Sequence, residues 1–191
     1  MMENILTNYR NYTEGRRGAA EAYKNGLKEL NDNYKGAMLE SKLEALKTAH
    51  RDTVAALETE YITPIKDAFA AAKTAVRAAS ARPIPEDVRN SLAAFEGLKI
   101  SDSEKSMILE MTRNSYLARK RAIELLNVTE DELPPSIDAV LSDIEALEKV
   151  LHDSTGKPVD SYDARLIAHG DWVNKVQDEV TAFCDAYGEQ A

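Results

Sequence analysis

The sequence lacks most of what a disulfide-stabilised, secreted or membrane protein needs. Cys184 is the only cysteine in 191 residues, so the chain forms no internal disulfide and no zinc site built from cysteines. No apolar stretch approaches the roughly 18 residues of a membrane span, and the first residues have neither the basic start nor the apolar run of a signal peptide. We therefore expect a soluble protein of the cytoplasm that does not bind membranes.

Large aromatic residues and strand patterns are also scarce. The chain has one Trp and three Phe, and only eight glycines and six prolines interrupt its helix-forming residues. No run of alternating apolar and polar residues is long enough for a β-strand. These features predict an all-α protein with narrow helical packing.

The sequence contains no motif of a known catalytic or cofactor site. There is no Gly-x-Gly-x-x-Gly, Gly-x-x-x-x-Gly-Lys, His-Glu-x-x-His or Gly-x-Ser-x-Gly. The paired Glu-x-x-His motifs of di-metal helical bundles are absent as well. We therefore expect no enzyme, with no catalytic residue, metal or cofactor; an enzyme would require a pocket of converging polar groups that the sequence does not locate.

Isolated histidine and cysteine residues have two interpretations each. His169, with Asp163 or Asp171, has the chemistry to bind a metal or move a proton, but it occupies an apolar heptad position, which favours packing. Cys184 lies beside Phe183, where a packed thiol is favoured over a nucleophile.

Residues 3–62 are predicted to form one long, coiled-coil-like helix. Apolar residues recur at spacings of three and four, and the pattern shifts by one residue after Tyr34, as at a stutter. About 60 residues would give a rod roughly 90 Å long, which cannot bury its own apolar stripe. Its partner is either the later helices or another subunit. The stripe residues predicted to mediate self-association are Leu27, Leu30, Tyr34, Leu43, Leu46, Leu57 and Tyr61.

Prolines and capping residues divide the rest of the chain. Thr63-Pro64 predicts a kink, with Thr63 capping an alanine-rich helix, and the prolines of residues 82–85 predict a domain boundary between an arm, 1–82, and a helical bundle, 84–191. Further helices are predicted over residues 85–96, 101–126, 136–155 and 160–187, with a single turn at 129–133. Gly97 should end the first of them, a capping box of Ser101 with Glu104 should begin the second, and Ser136 should cap the third. The last two should form an antiparallel hairpin.

The net charge of −9 is concentrated near the C-terminus. Residues 1–83 hold 13 basic and 11 acidic side chains, whereas residues 127–191 hold four basic and 15 acidic ones. Spaced carboxylates on a helical surface can imitate the phosphates of a nucleic acid, although an ordinary solvated surface has the same composition. The candidate acidic partner-binding surface consists of Glu145, Glu148, Asp178 and Glu179.

One basic cluster, Arg113, Arg119, Lys120 and Arg121, precedes a segment that resembles part of a helix-turn-helix. The resemblance covers residues 122–129, and the acidic residues 130–132 and the prolines that follow argue against it. We therefore expect a solvated basic face that pairs with the acidic hairpin, and no direct binding of nucleic acid.

Together these patterns indicate a non-catalytic interaction or assembly protein with protein partners, forming a homo-oligomer. In composition and layout, though in no specific motif, the chain is similar to coil-bearing scaffolding or head-assembly proteins of bacteriophages and prophages, which would place it in the host cytoplasm. The alternative is a phage-type inhibitor that binds a bacterial nucleic-acid enzyme through the acidic hairpin.

Overall fold

A computed structural model describes the backbone of residues 2, 4–128, 136–155 and 162–188, and their side chains except at 154–155 and 162–169. Within these ranges every regular element is a helix, so the all-α prediction is confirmed. The helices are α1 Ile5–Asn33, α2 Gly36–Leu57, α3 Thr63–Ser80, α4 Glu86–Phe95, α5 Asp102–Met111, α6 Tyr116–Leu126, α7 Ile137–Thr155 and α8 Tyr162–Tyr187.

The first two helices form an antiparallel hairpin, which corrects the prediction of one helix over residues 3–62. The helix ends because Tyr34 and Lys35 are extended and Gly36 has a φ of +60°, a conformation that glycine adopts without steric penalty. The Asn31 and Asn33 amides donate hydrogen bonds to carbonyls of the last helical turn, of Leu27 at 2.7 Å and Glu29 at 2.9 Å. The apparent stutter after Tyr34 is therefore the turn of the hairpin.

Two glycines of α1 lie where α2 comes closest. A Cβ atom added at Gly26 would be 3.0 Å from Leu46 Cδ1, and one added at Gly15 would be 2.6 Å from Leu57 Cδ2. Between these positions the Tyr23 ring stacks on His50, with centroids 4.7 Å apart. Part of the stripe is thus covered by α2, a segment that the sequence pattern placed in the same helix as α1.

The backbone continues from α2 into α3 through a π-helical turn, Glu58–Ile62, where the sequence predicts a kink and a cap. Thr63 is helical, and its N–H donates to the carbonyl of Glu58 five residues earlier, so Thr63 does not cap a new helix. In an α-helix the Pro64 ring would clash with the carbonyl four residues before it. The wider turn accommodates the proline without a break.

Helices α4, α5 and α6 share an apolar cluster, and their ends follow local capping signals. Gly97, with a φ of +79°, follows α4, and Ser101 forms the predicted capping box with Glu104. The single helix predicted over residues 101–126 is corrected: the chain leaves the helix at residues 112–115, and Ser115 caps α6 by accepting from the Ala118 N–H at 3.3 Å. The buried cluster consists of Val88, Leu92, Ile108, Ala118, Ala122 and Leu126.

Tyr116, at the start of α6, contacts both of the last two helices. Its hydroxyl accepts from the Ile137 N–H at 3.3 Å, and its ring lies 5.4 Å from that of Phe183 and 5.5 Å from that of Tyr187. The beginning of α7 and the end of α8 therefore lie beside the same ring, as in antiparallel neighbours. Ser136 caps α7 as predicted, whereas the turn predicted at 129–133 lies outside the described residues.

The chain forms two compact units, one of Ala70–Leu147 with Asn174–Ala191 and one of Met2–Phe69 with Glu148–Val173. The division falls inside α3, α7 and α8, whereas the boundary predicted near residue 83 lies between α3 and α4, within the first of these units. None of the described helices combines the length and the apolar composition needed to span a membrane.

Candidate functional site

The hairpin of α1 and α2 carries the residues predicted to mediate self-association. Ile5, Tyr9, Tyr12 and Thr13 are buried at its base, but from residue 14 to residue 61, all of which the structure describes, no side chain is buried. The seven predicted residues are all half-buried: Leu27, Leu30, Tyr34, Leu43, Leu46, Leu57 and Tyr61.

The stripe side chains of the hairpin are only partly covered. Contacts between the two helices, such as those of Leu46 with Gly26 and of His50 with Tyr23, shield part of the stripe, but none of its side chains is fully buried. At the turn, Lys42 Nζ lies 4.8 Å from the centroid of the Tyr34 ring, and Met38 is 62% exposed. The hairpin thus keeps apolar surface in contact with solvent.

A cavity of about 410 Å³ lies at the π-helical turn, within the second compact unit. Its walls come from α1, the end of α2, the π-helical turn, the start of α3 and α7. The lining residues are Tyr12, Ala55, Glu58, Thr59, Ile62, Thr63, Lys66 and His152.

A chain of hydrogen bonds orients the polar groups of this cavity. Arg16 Nη1 donates to the Tyr12 hydroxyl at 2.9 Å, and that hydroxyl donates to Glu58 Oε1 at 3.4 Å. The Arg16 guanidinium also lies 5.7 Å from the centroid of the Tyr12 ring. Because Tyr12 is fully buried, its hydroxyl holds a fixed position beside the carboxylate.

Sequence reasoning did not find this cavity. Of the lining residues, the sequence pattern assigned a specific role only to Thr63, at a helix cap. The nearest signal was Pro64 within a helical pattern, because π-helical turns often occur at functional sites. Bringing Tyr12 to Glu58 also requires the hairpin, which the periodicity alone did not reveal.

The predicted basic cluster is divided among local partners. Arg113 Nη1 lies 2.7 Å from Glu110 Oε1, Arg121 forms an ion pair with Glu96, and Arg119 Nη1 donates to the Leu109 carbonyl at 2.5 Å. Lys120 is exposed. These contacts are made with α5 and with the end of α4, and pairing of the cluster with the acidic hairpin stays a prediction.

The turn between α5 and α6 gives a helix-turn-helix arrangement different from the segment considered in the sequence. In DNA-binding proteins of this kind the N-terminal residues of the second helix contact the bases. Here the first residue of that helix, Tyr116, packs against Phe183 and Tyr187. Tyr116 is therefore engaged within the protein, while its neighbour Leu117 is 39% exposed. Thr129, the last residue of the segment considered in the sequence, lies outside the described residues.

The four predicted acidic residues lie on α7 and α8. Glu145 and Asp178 are exposed, while Glu148 and Glu179 are half-exposed. Lys175 Nζ lies 3.4 Å from Glu179 Oε1, and within the described residues neither Glu145 nor Asp178 forms an ion pair.

The remaining residues with reactive or metal-binding side chains are Cys184 and His169. Cys184 is half-buried, and burial, together with the charge of Asp185, raises the pKa of its thiol, which disfavours the nucleophilic thiolate. The side chain of His169 lies outside the described part of the chain. Among the side chains that the structure describes, no group of three or more His, Cys, Asp or Glu residues is arranged to hold a metal ion.

The chain is an all-α protein whose candidate surfaces are a half-covered helical hairpin and a polar cavity. Comparison with known families, with curated proteins and with solved structures finds no match.

Proposed function

We propose that this protein is a non-catalytic interaction and assembly protein that self-associates through the α1–α2 hairpin. The observation that carries the proposal is the absence of any buried side chain between residues 14 and 61, although an apolar stripe follows both helices. Burying apolar surface stabilises by about 25 cal/mol per Å², so half-covered leucines favour a further helical partner.

A second copy of the same hairpin suits this surface. Two helical hairpins packed face to face make a four-helix bundle, in which every stripe residue is enclosed. Residues 14–61 hold eight basic and nine acidic side chains, so two copies do not repel each other strongly despite the net charge of −9 of the whole chain. A symmetric dimer of this kind uses one patch on both subunits.

The test is the solution mass, measured by light scattering during size-exclusion chromatography. We expect a multiple of 21.2 kDa for the native chain and a mass of 21.2 kDa for the Leu43→Gln/Leu30→Gln variant. The matched control is Ala45→Gln/Ala49→Gln, which places the same polar groups at exposed positions of α2. Circular dichroism shows whether each variant keeps its helices. A native mass of 21.2 kDa at every concentration would overturn the proposal.

The layout further favours an assembly role of the bacteriophage or prophage type. A long helical hairpin followed by shorter helices and an acidic C-terminal segment is similar to coil-bearing scaffolding or head-assembly proteins. This likeness is one of composition and layout, and it leads us to propose a capsid-assembly component as the protein partner. Co-purification with such a component should be lost in the Leu43→Gln/Leu30→Gln variant and retained in the alanine-site control.

A second candidate function is inhibition of a bacterial nucleic-acid enzyme by the acidic surface of α7 and α8. It is favoured by the exposed carboxylates of Glu145 and Asp178, which have no ion pair within the described residues. A complex formed in this way should weaken as salt increases and should be abolished by Glu145→Lys with Asp178→Lys. Unchanged affinity in that double variant would exclude this function.

A further inference from the structure

We propose that the cavity at the π-helical turn is a binding site for a small hydroxylated organic anion, one that carries a carboxylate or phosphate group. The inference is independent of self-association, because it concerns the base of the hairpin and not the half-buried stripe. Its starting point is the size of the cavity, about 410 Å³, which falls within the range of roughly 300–1,000 Å³ typical of small-molecule sites.

The lining of the cavity is largely polar. Six of the eight lining residues that the structure describes carry a hydroxyl, carboxylate, ammonium or imidazole group. Empty packing defects in proteins are apolar, whereas convergent polar groups in a concave surface mark ligand sites.

The local charge favours an anionic group. Lys66 lines the cavity and forms no ion pair within the described residues, and Arg16 adds a second positive charge behind the Tyr12 ring. Among the lining residues that the structure describes, Glu58 is the only acidic one. The Lys66 ammonium is therefore available to an anionic group, and it predicts that a carboxylate or phosphate lies at Lys66.

The other polar groups accept hydrogen bonds, which indicates a hydroxyl-bearing ligand. The Thr59 hydroxyl donates to the Ala55 carbonyl at 3.0 Å, and the Thr63 hydroxyl donates to the Glu58 carbonyl at 3.4 Å. Their oxygen lone pairs, like the Glu58 carboxylate, are therefore available to donors from a ligand. The Tyr12 hydroxyl, which accepts a hydrogen bond from Arg16, donates to the Glu58 carboxylate within the cavity.

Binding of three related probes to the full-length isotope-labelled protein tests the proposal by NMR titration. Glycerol 3-phosphate and glycerate carry the two candidate anionic groups, and glycerol is the uncharged control. We expect saturable shifts of the Thr59 and Thr63 methyl signals with at least one anion and none with glycerol. The stronger of the two anions identifies the phosphate or the carboxylate as the preferred group.

Variants separate a specific site from general charge attraction. Lys66→Gln should weaken binding of the anion about tenfold or more, because it removes a charge-assisted hydrogen bond. Lys66→Arg should retain binding, and Lys28→Gln, at an exposed lysine outside the cavity, should not change it. Absence of saturable shifts with both anions, equal binding of glycerol, or equal losses in Lys66→Gln and Lys28→Gln would overturn the proposal.

Discussion

Individual glycines of α1 have different roles although they share one helix. Gly15 and Gly26 allow α2 to approach, because an added Cβ would meet Leu57 or Leu46 within about 3 Å. Gly18 has no atom within 4 Å of an added Cβ and lies in helical backbone, so nothing in the structure requires glycine there. The usual helix penalty of glycine is therefore offset by packing at two positions and uncompensated at the third.

We predict that Gly18→Ala stabilises the protein by about 1 kcal/mol, the difference in helix propensity between alanine and glycine. Gly15→Ala gains the same propensity but places its Cβ 2.6 Å from Leu57 Cδ2, so the leucine must move and the net gain should be smaller or negative. Urea unfolding followed by circular dichroism measures both free energies. Equal stabilisation by the two substitutions would show that α1 and α2 do not approach closely at Gly15.

At the scale of single helices, the best-defined end is the start of α5. The Ser101 N–H donates to Glu104 Oε2 at 2.7 Å, the Ser101 hydroxyl donates to the same oxygen at 2.6 Å, and the Glu104 N–H donates to Ser101 Oγ at 3.4 Å. Both hydrogen bonds that Glu104 accepts from Ser101 lower the pKa of its carboxyl group, and the one from the Ser101 side chain contributes more than the one from the backbone. The cap is therefore strongest when Glu104 is ionised.

The pH dependence of stability follows from the lowered pKa of Glu104. Because the pKa of Glu104 is lower in the folded state, its contribution is present above the unfolded pKa and is lost as the pH falls through the folded pKa. We predict that the free energy of unfolding falls less in Glu104→Gln than in the native protein when the pH is lowered from 6 to about 3. Chemical denaturation at a series of pH values measures this. Glu124→Gln, on an exposed position that caps no helix, is the control and should follow the native curve.

Local signals explain which elements were predictable from the sequence. Ser101, Ser136 and Gly97 mark helix ends through hydrogen bonds or backbone conformations of neighbouring residues, and the structure has them as predicted. The reversal at Gly36 was missed because spacings of three and four continue on both sides of it, and periodicity does not state whether the chain turns back. The break at Thr112 was missed for a similar reason, since Ile108 and Ala118 both belong to an apolar pattern that spans it.

The cavity, like the reversal at Gly36, was not predictable from local sequence signals. Tyr12 and Glu58 are 46 positions apart, and their contact depends on how α1 and α2 align in the hairpin. That alignment is specified by close approaches such as Gly26 to Leu46, which no local pattern contains. Residue types with binding chemistry were visible in the sequence, but their convergence required the tertiary structure.

At the scale of the whole molecule, charge separates the two proposed modes of association. Residues 14–61 are nearly neutral, whereas residues 127–191 hold most of the excess carboxylates. Association through the hairpin buries apolar surface and should depend weakly on salt, while association through the acidic surface should be screened over a Debye length of about 8 Å at physiological ionic strength. Salt dependence therefore indicates which surface is used.

We predict that the thermal midpoint of the native protein rises with its own concentration. Association of folded chains stabilises them by mass action, and for a dimer each tenfold increase in concentration adds up to about 1.4 kcal/mol to the apparent stability. Differential scanning calorimetry over a hundredfold range of concentration should show this rise at both low and high salt. In Leu43→Gln/Leu30→Gln the midpoint should be constant, and in Ala45→Gln/Ala49→Gln it should rise as in the native chain. A native midpoint independent of concentration contradicts self-association, and a rise that disappears at high salt assigns the contact to charged surfaces instead of the hairpin.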